Sequence, residues 1–317
     1  MTNRRQFLRN ATLTVAGSAL AINSRTAAAN VPVSTTVNAK KELGLQIYSL
    51  GRELAPDVPG GLKKVAQMGY TVIELAGYNS EGKIGAASMA DFKKYADDAG
   101  LKITSSHLNP PAREYTKDNL EQIKDFWKKA AEHHAAIGCK YIIQPGQPST
   151  RSTEEVAYVG EVFNEAGKIA KAAGLQFGYH NHNGEFARVV PGGTEPLPAS
   201  RGFGRPPEGA KIIYDAMLEA TDPELVQFEM DVYWTVMGQK DPVAYMKKYA
   251  NRIRLLHIKD VAVLGESGMM NFPKIYETAY ANGIKDYFVE LENYTGGTQF
   301  EGVKGCADYL LKAAFVK

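Results

Sequence analysis

Cysteine is nearly absent: Cys139 and Cys306 are the only two among 317 residues. Two thiols do not make the disulfide framework of a small secreted scaffold. Cys139 opens an expected strand and Cys306 falls in the last expected helix, which suits two buried thiols. An excess of one charge is also lacking. Lys and Arg number 37 against 35 Asp and Glu, a net +2. That gives no electrostatic ground for a nucleic-acid or anionic-membrane partner. Nor is there an apolar run of bilayer-spanning length. The stretch 11–22 falls short of the ~20 residues a span requires, so no stable membrane anchor is expected. The 44% hydrophobic content is that of an ordinary globular protein.

Residues 1–29 read as a targeting segment. Arg4-Arg5 is followed by Gln6, Phe7, Leu8 and Arg9, then by the apolar run and by Ala27-Ala28-Ala29, a small-residue cleavage site. The Arg pair with Phe-Leu behind it points to a twin-arginine signal, and so to a periplasmic or otherwise exported protein. Residues 30–40 read as a short polar linker. The fold is expected over 41–317.

One joint recurs along that stretch. A helical pattern ends in small residues and a Gly, and an apolar strand follows. The joints centre on Gly69, Gly100, Gly138, Gly174 and Gly283, each placed to end a helix in a left-handed turn. Strands are expected to start near Leu43, Thr71, Lys102, Lys140, Leu175, Val226, Ile253 and Tyr287, with helical patterns such as 118–137 and 154–173 between them. Such alternation implies parallel βαβ units. Eight units in one domain imply a (βα)₈ TIM barrel of the α/β class. An open doubly wound sheet would call for a Gly-rich phosphate loop after the first strand, and Gln46-Ile47-Tyr48-Ser49-Leu50-Gly51 is not one. One gap is long. The Gly- and Pro-rich insertion 188–210 follows the fifth strand and lies on the face that carries active sites. It is either a lid over the substrate or a surface excursion.

Catalytic groups of such barrels sit at the C-terminal ends of strands. The first four ends carry Gln46 and Tyr48, then Glu74, then Ser106 and His107, then Gln144. The fifth carries Tyr179, His180, Asn181 and His182, with Glu185 beyond. The last three carry Glu229, Asp231 and Trp234, then His257, Lys259 and Asp260, then Glu290 and Glu292. His133 and His134 lie instead on an expected helix, as surface or packing residues. Period-two alternation points His180 and His182 the same way, and likewise Glu229 with Asp231 and Glu290 with Glu292. Carboxylates and imidazoles crowded at strand ends are costly to bury unless they meet a cation. Mixed oxygen and nitrogen donors suit one divalent metal ion, with Mn, Zn, Mg and Fe all open.

These residues also carry a resemblance. The runs Gly44-Leu-Gln-Ile-Tyr-Ser, Gly69-Tyr-Thr-Val-Ile-Glu-Leu, Gly178-Tyr-His-Asn-His-Asn-Gly-Glu-Phe, Phe228-Glu-Met-Asp-Val-Tyr-Trp, Leu256-His-Ile-Lys-Asp and Val289-Glu-Leu-Glu resemble the sugar phosphate isomerase/epimerase family of the xylose isomerase-like barrel superfamily. The resemblance runs over about 42–315 and implies one metal held by Glu, Asp, His and Glu from strands five to eight. Asp231 matches the Asp, His257 the His and Glu290 the last Glu, with Glu292 as a competing choice. Strand five departs from the pattern. His180, with His182 on the same face, stands where epimerases carry Glu, and Glu185 or Glu229 could contribute. The stretch also resembles the Tyr-His-x-His of inosose dehydratases, lyases of the same superfamily. An endonuclease of the related DNA-repair branch would need a multi-metal cluster and a basic groove, for which the charge offers no basis.

A divalent ion chelated by a substrate carbonyl and its neighbouring hydroxyl would ease removal of the adjacent proton. Glu292, His182 and Lys259 are the candidate bases, and Lys259 could instead steady an enediolate oxygen. Gln46, Tyr48, Glu74, His107, Gln144, Glu185 and Trp234 are candidate substrate-binding residues. Tyr48, Tyr179, Tyr233 and Trp234 are the aromatics able to stack on a sugar ring. Return of the proton gives an isomerase or epimerase. Loss of a β-substituent gives a dehydratase, or a lyase acting on a 3-keto-glycoside. A non-catalytic sugar-binding barrel would bind without turnover. Export favours a free sugar or keto-sugar over a sugar phosphate. Association into a homo-oligomer is compatible with such a barrel.

Overall fold

The computed structural model describes residues 41–79, 81–199, 205–294 and 296–317. The expected signal at 1–29 and linker at 30–40 lie outside the described residues, as do 200–204 of the long insertion.

Short apolar runs, buried on both faces over most of their length, become strands: β1 Gly44–Gln46, β2 Val72–Leu75, β3 Lys102–Ser106, β4 Tyr141–Gln144, β5 Gln176–His180, β6 Val226–Asp231, β7 Ile253–Ile258 and β8 Asp286–Val289. Each begins within one residue of its sequence expectation. They form one eight-stranded sheet in the order β3-β2-β1-β8-β7-β6-β5-β4, with every neighbouring pair parallel. The two ends of that order meet through a parallel bridge between His107 and Ile143, with Lys140 N donating to Thr104 O and Leu108 N to Ile143 O, each at 2.8 Å. The sheet therefore curls into a barrel.

Amphipathic helices cover it, among them α1 Val58–Gln67, α2 Met89–Ala99, α3 Leu120–Ala136, α4 Thr153–Ala172, α5 Ile213–Ala220, α6 Val232–Met237, α7 Pro242–Lys248, α8 Phe272–Ala281 and α9 Gln299–Lys312. Side chains cap the orphan amides at their starts. Ser88 accepts from Asp91 N, Ser152 from Glu155 N, and Thr298 forms a reciprocal box with Glu301. The five joint glycines all have positive φ. Gly100 shows why: it closes α2 in a left-handed turn at φ 76°, where a side chain would be strained.

Strand alternation makes two apolar layers. Outward residues such as Ile73, Ile142, Phe177, Phe228 and Val289 join the helices in the main core. Trp127 of α3 and Phe163 of α4 grip Phe177, with ring centroids at 4.9 and 5.5 Å. A second cluster gathers Val72, Tyr141, Ile143, Leu255 and Phe288 from β2, β4, β7 and β8, strands from both sides of the barrel, so it fills the interior as a floor. Gly178 completes that floor, since a Cβ there would stand 2.6 Å from Ile143 Cδ1. Two residues further along several strands, on the same inward side, the sequence turns ionisable: Glu74 above Val72, His180 above Gly178, His257 above Leu255, Glu290 above Phe288.

The long insertion is rooted in an antiparallel pair, Arg188–Val189 with Lys211–Ile212. Thr153 N donates to Val190 O, and Gly192 N donates to Glu154. These bonds tie its base to the start of α4.

Of the two helix histidines, His134 is fully buried. Its Nδ1–H donates to Ala130 O at 2.7 Å, so its Nε2 accepts from Ser106 Oγ at 3.0 Å. Ser106 thus faces the helices and not the barrel mouth. Burial holds His134 neutral, from the usual 6.5 down to about 4. Because the folded value lies below the unfolded one, its contribution to stability is intact above pH 6.5 and is lost as pH falls towards 4. Denaturant titrations should show wild type losing up to about 3 kcal/mol more than His134→Gln across that window. Equal losses in both proteins would contradict this assignment.

Candidate metal centre

The polar layer above the floor divides into an upper and a lower quartet that share His257. The upper one comprises His180, Asp231, His257 and Glu290, all buried, with one donor atom from each lying within 4.8 Å of the others. The lower one comprises Glu74, His107, Glu229 and His257 on the same terms.

Their internal distances separate the two. In the upper quartet His180 Nε2 lies 3.6 Å from Asp231 Oδ2, and His257 Nδ1 lies 3.3 Å from Glu290 Oε2. Neither contact is a hydrogen bond, and both His180 nitrogens, Asp231 Oδ2 and His257 Nδ1 are buried without a partner among the described residues. An ion about 2.1 Å from each donor would space neighbouring donors by roughly 3.0 to 3.4 Å. The upper quartet therefore fits a divalent cation: two imidazoles, two carboxylates and unsatisfied atoms at the right separation. The lower quartet is bound by protons. His257 Nε2 donates to Glu74 Oε2 at 2.7 Å, and His107 Nε2 donates to Glu229 Oε2 at 2.8 Å. Both are ordinary hydrogen-bond lengths.

Neighbouring groups hold the upper donors in place. Asp231 caps α6: its Oδ1 accepts from Trp234 N at 2.8 Å, which leaves Oδ2 free. Asn181 Oδ1 accepts from Asp231 N at 3.2 Å. Lys259 Nζ is pinned between Glu290 Oε2 at 2.9 Å and Glu292 Oε1 at 2.8 Å. Glu290 is almost fully buried, while the Glu292 side chain keeps 27% of its surface and faces the opening. That division separates the two acids between which the sequence left the choice open.

The electrostatics follow from burial. It pushes Asp231 up to about 7, against the pull of Lys259. Glu290 is held well below the ordinary carboxylate range because His257 and Lys259 outweigh its burial. Burial and nearby cations keep His180 neutral, and burial brings His182 down to about 4. His257 resists burial and stays high because Glu229, Glu290 and Glu74 surround it. An arriving cation must therefore displace protons from Asp231 and His257.

The remaining candidates fall into three groups. His182 and Trp234 stand half-buried at the opening, beside the fully buried Lys259. The His182 ring lies 5.0 Å from His180 and 5.7 Å from Trp234, and the Lys259 ammonium sits 5.0 Å over the indole. Tyr48 is 61% exposed at the rim. Gln46, Glu74 and His107 are buried beside the upper quartet and bonded within the lower one, with Gln46 and Glu74 fully buried and His107 slightly exposed. Gln144 and Glu185 are also buried. Gln144 accepts from Tyr115 OH and donates to Gly146 O, and Glu185 accepts from Tyr179 OH at 2.5 Å and His182 N at 3.1 Å, so both brace loops. Tyr179 accordingly points outward, away from any sugar.

Sequence reasoning missed Ser105, whose Oγ donates to Glu74 Oε1 at 2.6 Å. Ser105 shares the face of His107 two residues on, so the period-two rule applied to β3 would have found it in place of Ser106.

Mn²⁺ or Zn²⁺ at a hundredfold above its Kd should stabilise the wild-type protein by about 2.7 kcal/mol, or ~5–10 °C in melting temperature. Asp231→Ala/His257→Ala should abolish that shift in thermal unfolding. A shift retained by the double variant would place the ion elsewhere.

The xylose isomerase-like TIM barrel model matches residues 62–305. An inosose dehydratase from Geobacillus kaustophilus is 24% identical over 216 residues, 63% of this chain and 61% of that protein. One from Clostridium tetani is 30% identical over 108 residues, 34% of this chain and 29% of that protein. This chain therefore matches less than two thirds of the length of either dehydratase. Among solved structures, a sugar phosphate isomerase/epimerase from Parabacteroides distasonis is 52% identical, with a TM-score of 0.80 over 87% of this chain and 100% of its own. The D-psicose 3-epimerase of Clostridium cellulolyticum, solved with D-tagatose, shares the fold at a TM-score of 0.61 and 16% identity, covering 83% of this chain and 89% of its own. The chain belongs to the xylose isomerase-like TIM barrel family, among its sugar phosphate isomerase/epimerase members.

Proposed function

We propose that this protein is a divalent-metal-dependent isomerase or epimerase of a free sugar or keto-sugar, acting by proton abstraction next to a carbonyl. The observation that carries the proposal is the upper quartet, whose orphaned buried donors open directly beside the Lys259–Glu292 pair. His180, Asp231, His257 and Glu290 would hold one ion, with Mn, Zn, Mg and Fe all compatible with the donor set. Such an ion supplies Lewis acidity to a carbonyl and its neighbouring hydroxyl. Glu292, the exposed carboxylate of the pair, is placed to take the adjacent proton. Lys259, fixed as a cation between two carboxylates, serves the enediolate oxygen and not proton abstraction. His182 is the second group able to carry a proton at the opening. Trp234 forms its wall, and its indole N–H, without a partner among the described residues, can donate to a sugar hydroxyl.

The twin-arginine signal and the periplasmic location belong to this proposal and support an unphosphorylated substrate. The shared use of Lys259 by two carboxylates agrees, since it leaves that cation poorly placed for a phosphate.

The inosose dehydratase relatives favour a second reading: a lyase with the same first step, in which a β-substituent leaves. Product analysis in D₂O separates the readings. Metal-loaded protein given a panel of keto-sugars and inososes should exchange the proton next to the carbonyl. An epimer or isomer as product supports the main proposal, and released water or aglycone supports the lyase. Binding without exchange would leave a sugar-binding barrel. Glu292→Gln should lower kcat by about 10²–10⁴-fold with metal content unchanged. Unchanged kcat in that variant, with loss in His182→Gln, would transfer the base role to His182.

A further inference from the structure

The lower quartet has no place in the chemistry above, yet hydrogen bonds join its members in pairs, with Glu229 Oε1 left without a partner among the described residues. Glu74 is its hub. Its Oε1 accepts from Ser105 Oγ at 2.6 Å, and its Oε2 accepts from Gln46 Nε2 and His257 Nε2, each at 2.7 Å. Gln46 is itself fixed, because its Oε1 accepts from Tyr48 N at 3.0 Å. The β2–β3 register shifts between Ile73 and Glu74, a local irregularity of the kind that re-aims a side chain.

We propose that Glu74 is the positioning residue of the metal centre, orienting the His257 ring so that Nδ1 is its metal-binding atom. This rests on the reading of the upper quartet as a cation site. A carboxylate only accepts, so the 2.7 Å contact places the His257 proton on Nε2. Nδ1, which faces Glu290 and lacks a partner, is then the nitrogen that would exchange its proton for an ion, while the Nε2 proton stays on Glu74. A histidine ligand commonly donates its other N–H to a carboxylate, which sets the tautomer and raises the basicity of the donor atom. Glu229 does not share this part. Its Oε2 lies 3.4 Å from His257 Nε2 but 2.8 Å from His107 Nε2, so it serves His107.

The test uses the full-length protein loaded with Zn²⁺. Long-range ¹H–¹⁵N correlation of the histidine rings, with His257 assigned by the His257→Gln spectrum, should show His257 protonated at Nε2 and bound through Nδ1. Competition with a chromophoric chelator should show Glu74→Gln binding Zn²⁺ about 10- to 100-fold more weakly than wild type. Ser105→Ala, a milder change that removes one of the bonds holding Glu74, should cost about two- to tenfold. Should Glu74→Gln fail to fold, the Ser105→Ala affinity and the wild-type tautomer still decide. Wild-type affinity in both variants, or a His257 bound through Nε2, overturns the proposal while leaving the metal site intact. Two ions per chain overturn it as well, because Glu74 would then be a ligand. A wild-type protein that binds no ion defeats the metal reading itself, and this proposal with it.

Discussion

A carboxylate taken out of water costs several kcal/mol unless a cation or enough donors meet it. This barrel buries Glu74, Glu229, Asp231 and Glu290 in one layer. The surrounding structure can be understood as the means of meeting that cost. Glu74 is met by hydroxyl, imidazole and amide donors, Glu229 at one oxygen by the His107 imidazole, and Glu290 by Lys259. Asp231 has one oxygen on a helix amide and the other unmet. His180, unmet at both nitrogens, lies across from it. The unmet atoms of His180, Asp231 and His257 therefore gather at one point, where a divalent ion would meet them, while Glu229 Oε1 is a further buried oxygen without a partner among the described residues.

The barrel gives that point rigidity from below and access from above. The apolar floor of Val72, Tyr141, Ile143, Leu255 and Phe288 excludes water beneath the acids, and low polarity strengthens every charge interaction resting on it. The register shifts at Ile73/Glu74 and Phe228/Glu229 fall on the two acids of the supporting quartet. Above, Glu292, His182, Trp234 and Tyr48 lie at the opening, where a substrate can reach them. Ions held between rigid strand ends and a partly exposed rim suit a carbonyl ligand that must enter, react and leave.

Much of this was legible in the sequence, and for identifiable reasons. Five Gly joints mark where helices stop, so five of the eight strand starts followed from them and the others from apolar runs. The family resemblance then singled out Asp231, His257 and Glu290, with His180 in the place of a Glu, and the structure brings these four together. What alternation could not supply was partnership. Gln46, Glu74 and His107 are inward like the upper quartet, but their side chains are engaged with one another and with His257 and Glu229, contacts that run between strands. Glu185 lies beyond regular strand, where the period no longer applies, and Gln144 ends β4 on the side opposite Ile143, so both meet tyrosine hydroxyls and not the barrel mouth. Ser106 was off by one residue, which on a strand reverses the side chain's direction.

The central claim is that one divalent ion sits among His180, Asp231, His257 and Glu290. Anomalous diffraction from crystals of the metal-loaded protein, recorded at the absorption edge of Mn, Zn or Fe, tests it most directly. The account predicts a single peak about 2.0–2.2 Å from the nearest donor atoms of those four residues. Absence of a peak with every ion, or a peak among Glu74, His107 and Glu229, would contradict it.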